Sequence, residues 1–145
     1  MTDSEVALIV GGGPGISASC ARLFAAEGMK VAVAARNIEK EPLAKLAADH
    51  GVLLVKCDAS DPDSVANLFA EVASQLGAPH LVIHNIDGRS RDVFRKGIHE
   101  VDPALVLDTL KNSTYSAFLV GQQAAKAMLV QKQRQGHKGT ILFTN

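Results

Sequence analysis

Four glycines, Gly11, Gly12, Gly13 and Gly15, stand between an apolar run, Val6–Val10, and an alanine-rich segment that begins at Ile16. Glycine lets a backbone adopt positive φ and approach another group closely. A helix starting at such a turn aims unpaired N–H groups and the positive end of its dipole at whatever lies before it, so the chemistry on offer is anion binding, above all of phosphate. Strict Gly-x-Gly-x-x-Gly spacing fails, because it would need a third glycine at Ile16; the spacing that fits is Gly11-x-x-x-Gly15-x-Ser17. A tight strand-to-helix turn also uses glycine without any ligand. Position in the first strand–turn–helix unit favours the ligand, since dinucleotide folds place the pyrophosphate there.

The elements that must position this turn recur as pairs, each a short apolar run followed by a helical pattern. Val6–Val10 precedes a helix at Ile16–Glu27, where Ile16, Cys20, Leu23 and Phe24 share one face and Gly28 supplies the stop. Val31–Ala35 precedes a helix near Glu39–His50 with Leu43, Leu46 and Ala47 on one side. Val52–Lys56 precedes a helix from Asp61 to Leu76, with Val65, Leu68, Phe69 and Val72 at i, i+3, i+4 and i+7. A fourth strand, His80–His84, leads into a polar loop with room for one short helix. A long helical pattern then runs from Asp102 to Gln133, with Leu107, Leu110, Thr114, Phe118, Gly121, Ala125 and Met128 along one face, and GTILFTN closes the chain as a fifth strand. Strands alternating with helices imply right-handed crossovers and an α/β fold with a doubly wound parallel sheet, and the unbroken apolar strands agree.

Composition narrows the partners. The 145 residues carry 15 Lys+Arg against 15 Asp+Glu, which leaves no electrostatic footprint for nucleic acid or an anionic membrane. Hydrophobic content of 47% with 21% charged residues fits one folded domain. The start, MTDSEV, is polar and acidic and unlike a targeting segment, and no apolar run approaches the roughly 18 residues of a membrane span. Cys20 and Cys57 lack metal-ligand spacing and sit among apolar neighbours, as structural thiols do. A reducing cytoplasm is the compartment expected.

With Val10 in the threonine position and Ser17 in place of the last glycine, the turn resembles the TGxxxGxG turn of the short-chain dehydrogenase/reductase family, and weaker motifs occur in that family's order along essentially all 145 residues. The resemblance implies a Rossmann-like, three-layer α/β/α sheet and a single NAD(P)-binding domain over 1–145, incomplete relative to the family and truncated after strand five. It places Gly11, Gly15, Ile16 and Ser17 at the pyrophosphate, with Gly12 and Gly13 at variable positions. Ala35 occupies the position of the aspartate that binds ribose hydroxyls in NAD-preferring members, and Arg36 and Asn37 come directly after it. A guanidinium matches a 2′-phosphate in a forked contact, so NADP is the expected cofactor and NAD the second choice; a solvated surface arginine is the other reading of Arg36. The second basic residue that NADP-preferring members often carry before the middle glycine is Pro14 here.

The resemblance also implies that Asp58 and its neighbour Ala59 contact the adenine, although Asp58 or Ser60 would serve equally as a helix cap. His84-Asn85-Ile86-Asp87 stands in the place of NNAG, with Asn85 and Ile86 lining the cofactor cleft and Asp87 departing from glycine. His84 reads as structural. The family's chemistry is hydride transfer with a tyrosine acid/base whose pKa a lysine four residues on lowers. The one tyrosine, Tyr115, has Leu119 four residues on and lies before the fifth strand. Counting five back from Phe118 puts Ser113 at the position of the family's helical asparagine, with Asn112 beside it, about 100° away on a helix.

The leading expectation is therefore the NADP(H)-binding portion of an oxidoreductase acting on a small carbonyl or alcohol substrate. A homo-oligomer through the long helix at 102–133 is implied by resemblance. The alternative is a non-catalytic NADP-binding or regulatory module. A methyltransferase using S-adenosylmethionine also opens on a glycine turn, but it wants an acid after the second strand, where Arg36 stands.

Overall fold

The computed structural model describes residues 4–144; Met1–Asp3 of the acidic start and Asn145 of the expected fifth strand lie outside the described residues. The first half runs β1 (Val6–Val10), α1 (Ile16–Ala26), β2 (Lys30–Ala35), α2 (Glu41–His50), β3 (Leu53–Lys56) and α3 (Pro62–Gln75). It continues through β4 (Leu81–His84), a short α4 (Arg91–Arg95), α5 (Pro103–Leu110), a π turn (Lys111–Tyr115), α6 (Ser116–Leu129) and β5 (Thr140–Phe143). All five strands are parallel in the order β3-β2-β1-β4-β5, the doubly wound Rossmann-like sheet expected.

Alternation along β1 creates the layers. Val6, Leu8 and Val10 enter one core with Val65, Leu68 and Val72 of α3 and Val120 and Ala124 of α6. Ala7 and Ile9 enter the other with Ala21 of α1 and Leu43 and Leu46 of α2. Covering both faces is why the strand reads as an unbroken apolar run. The helix ends follow local chemistry: Asp61 caps α3 by accepting from the Ser64 N–H at 3.1 Å, and Gly51 closes α2 at φ 65°.

Two helix faces differ from the sequence reading. On α1, Ile16 and Leu23 are 58% and 57% exposed, while Ser17, Ala18 and Ala21 are buried with Cys20, Phe24 and Ala25 beside them. The alanine-rich stripe faces the sheet because a densely packed helix–sheet contact has room for small side chains there. The expected single helix at 102–133 is instead α5, a π turn and α6, ending at Leu129. The Ser116 N–H bonds back to Lys111 O, five residues earlier, so one extra residue enters the helix and re-phases the later turns by about 100°. Leu107, Leu110, Thr114 and Phe118 are exposed, and Ser116, Leu119, Val120, Ala124 and Met128 are buried. Of the expected stripe only Met128 is fully inside; Gly121 and Ala125 are half-buried. A run of hydroxyls supports the bulge: Thr109 Oγ1 donates to Leu105 O and Ser113 Oγ to Thr109 O, at 2.7 and 2.6 Å. Such back-bonding bends helices.

Two histidines are structural. His84 is 2% exposed, with its Nε2 2.8 Å from Ser116 Oγ, which ties β4 to α6. His80 Nδ1 accepts from the Val6 N–H at 3.1 Å. Burial holds both rings below the ordinary histidine pKa.

Leu119→Ala is expected to cost about 2–5 kcal/mol of unfolding free energy and Leu23→Ala less than about 0.5 kcal/mol, read from urea midpoints at unchanged slope. Because both folded histidines bind protons more weakly than their unfolded counterparts, their contribution is complete above about pH 6.5 and is lost as pH falls below it. A urea-midpoint profile is expected to be level from about pH 7 to 8 and to decline toward about pH 5. His84→Asn is expected to shallow that decline.

Candidate functional site

The carboxyl ends of β1, β2, β3 and β4 open into a cleft of about 810 Å³, with Val10, Ala35, Cys57 and Asn85 marking the strand ends along it. Open parallel sheets bind ligands at this edge. Gly11, Arg36, Asn37, Asp58, Ala59, Asn85 and Ile86 from the sequence reading all wall the cleft.

The glycine turn is fixed from within. The Gly11 and Gly12 N–H groups both donate to Ala34 O at 2.9 Å. Gly11 has φ +107°, and a Cβ there would run into the Asn85 carbonyl. Gly12 is no variable position: a Cβ would meet Val33 Cγ1 at 2.9 Å and Ala35 Cβ and Leu43 Cδ2 at 3.2 Å each. Gly13 and Gly15 have open space where a Cβ would lie. The first helical bond is Ser19 N–H to Gly15 O, which leaves the Ile16 and Ser17 amides without an intrahelical acceptor, at an exposed helix start. Gly15 and Ile16 are outside the walls of the cleft itself, and Ser17 is buried behind the turn, 1% exposed.

Arg36 shares the wall with Lys40, the residue just before α2. Sequence reasoning missed Lys40 because it sought the second cation inside the glycine turn. Asn37 spends its Oδ1 on the Glu39 N–H at 3.0 Å. Asp58 is not the cap of α3; its Oδ1 accepts from the Ser60 N–H and Oγ at 2.9 and 2.8 Å, and these bonds hold its carboxyl below the usual range. Cys57 beside it is buried, which pushes its thiol up and leaves it protonated, whereas Cys20 is only half-buried. Among the described residues no cluster of three potential metal ligands occurs, and no helix is long and apolar enough to cross a membrane.

At the other end of the cleft, Asp87 is paired with Arg89 at 2.8 Å, and Arg89 lies over the Phe94 ring at 4.1 Å. The guanidinium lowers the Asp87 pKa and offsets the charge introduced where the family has glycine. Gly88, unremarked in the sequence, has no room for a side chain: a Cβ would lie 2.8 Å from Asn112 C and Ser113 N. Its partner wall is the π turn. Asn112 lines the cleft, whereas Ser113 is outside the wall with its hydroxyl bound to Thr109 O. No feature of the sequence announces a π turn, so the five-residue count landed one position off the cleft. Tyr115, 43% exposed, is not part of the wall.

A family model described as enoyl-(acyl carrier protein) reductase matches residues 11–144. The 3-oxoacyl-[acyl-carrier-protein] reductase of Bos taurus is 31% identical over 134 residues, covering 91% of this chain and 53% of that protein. A short-chain type dehydrogenase/reductase from Mycobacterium marinum superposes with a TM-score of 0.82 at 25% identity, over 97% of this chain and 56% of that one. An enoyl-(acyl carrier protein) reductase from Anaplasma phagocytophilum, solved in complex with NAD, shares the fold with a TM-score of 0.82 at 24% identity, over 97% of this chain and 53% of that one. This chain spans about half the length of the curated relatives it matches. The match runs from the glycine turn to the end of the fifth strand, through the parallel sheet and its cleft, and by it the chain belongs to the short-chain dehydrogenase/reductase family of oxidoreductases.

Proposed function

We propose that the cleft takes NADP(H), with NAD as second choice, and that this chain is the cofactor-binding portion of an oxidoreductase moving a hydride to or from a carbonyl or alcohol carbon of a small molecule. The observation carrying the cofactor choice is the end of β2. Ala35 offers no carboxylate to a ribose diol, while Arg36 and Lys40 both wall the cleft. Two cations on the wall of one cleft suit a phosphate dianion, the guanidinium as a fork and the ammonium as a compact charge.

The residues fit the group. The turn is bare of side chains at Gly13 and Gly15, and the exposed Ile16 amide at the start of α1, which has no intrahelical acceptor, suits a pyrophosphate. Ala59 and Ile86 give the cleft apolar surface against which a planar base packs. Bound NADP(H) supplies the hydride. Asn112, rather than Ser113, is the helical side chain presented to the reaction end, where an amide orients a polar group or a water.

The second reading is a non-catalytic NADP-binding or regulatory module, which needs the same cleft and nothing of Tyr115, a residue outside the wall. The exposed stripe of Leu107, Leu110 and Phe118, 67%, 51% and 59% exposed, supports a homo-oligomer built on α5 and α6.

Titration calorimetry is expected to show tighter binding of NADPH than NADH, with Arg36→Ala removing most of that preference while NADH affinity changes less than about twofold. Equal affinities in the unmodified chain would end the NADP assignment. Sedimentation velocity is expected to show a dimer, and Phe118→Asp to raise its dissociation constant about tenfold or more.

A further inference from the structure

Ser17 stands where the family turn has its third glycine, and its hydroxyl both donates and accepts. Ser17 Oγ donates to Gly11 O at 2.7 Å and accepts from Asn85 Nδ2 at 2.8 Å. The other end of the Asn85 amide, Oδ1, accepts from Thr144 Oγ1 at 2.6 Å. Thr144 itself is placed by its own N–H, which donates to His84 O at 3.0 Å; its hydroxyl also lies 3.3 Å from that oxygen. Three side chains from the end of β5, the end of β4 and the start of α1 thus form one directed chain of hydrogen bonds ending on the Gly11 carbonyl. The same peptide region is held on its other side by the Gly11 and Gly12 N–H bonds to Ala34 O.

We infer that Thr144, Asn85 and Ser17 form a positioning relay that sets the Gly11 peptide, and with it the aim of the turn toward the dinucleotide, from the end of β5. Glycine at position 17 would leave Asn85 Nδ2 and Gly11 O without these partners, so serine here supplies a link that the glycine form of the turn lacks. Half-buried amides and hydroxyls linked in series polarise one another, and losing one member leaves the next with an unmade bond. The relay makes Thr144 a positioning residue for a site whose walls it does not form: it acts on the turn only through Asn85 and Ser17. The ligand named rests on the NADP(H) reading above, whereas the coupling between the three side chains does not.

The test is a double-mutant cycle on the purified chain with Thr144→Val, Ser17→Gly and both together, and Thr144→Ser as the conservative rescue. NADPH dissociation constants are expected to rise about three- to tenfold for Thr144→Val, to return to within about twofold for Thr144→Ser, and to change less than about twofold for Thr144→Val in the Ser17→Gly background. An equal loss in both backgrounds, or none in either, overturns the relay. If the unmodified chain binds neither NADPH nor NADH, the cofactor reading fails by itself, and the relay is judged on the same four proteins by urea midpoint. There the shift caused by Thr144→Val must shrink at least twofold once Ser17 is glycine. Additive midpoint shifts overturn it.

Discussion

The geometry of the molecule turns on how closely β1 and β4 approach one another where the chain leaves the sheet. Gly11, at φ +107°, lies so near the next strand that a Cβ would fall 2.7 Å from Asn85 C and 2.8 Å from Ile86 Cγ1, inside contact distance of the carbonyl as well. A side chain at this point would have to push two neighbouring strands apart or swing the turn away from them. Everything downstream inherits the constraint. Both of the turn's first amides close on Ala34 O of β2, and α1 starts directly after it at Ile16. Packing thus requires glycine at Gly11 and Gly12, whereas Gly13 and Gly15 have open space where a side chain would lie.

How much of this was legible depends on how many surfaces an element touches. The strands are buried on both faces, so their apolar runs left little choice, and Val65, Leu68, Phe69 and Val72 of α3 declared one face. On α1 two stripes competed, a bulky one through Ile16 and Leu23 and a small one through Ala18 and Ala21; only the density of the sheet contact decides between them. The cleft residues at strand ends were readable because topology alone brings Gly11, Arg36, Asp58 and Asn85 to one edge. Lys40, Gly88 and Asn112 were not, since each reaches the cleft through a loop or a helix irregularity that no periodicity encodes.

Charge in the cleft is arranged locally. Asp58 is bonded chiefly by Ser60, with Arg36 adding a smaller favourable field, and Asp87 is paired with Arg89. Cys57, buried and protonated, adds only apolar surface to the wall. On the NADP(H) reading proposed above, selectivity between dinucleotides rests on Arg36 and Lys40 at the end of β2.

The π turn ties two unrelated demands to a single count of residues. Asn112 faces the cleft and Leu119 faces the sheet because five residues, Lys111–Tyr115, occupy the wide turn between them. Losing one residue would rotate one half against the other by about 100°, sending either the amide or the leucine into the wrong surroundings. A deletion here is therefore felt at two surfaces at once, the cleft and the sheet, although the segment itself touches only one of them through Asn112.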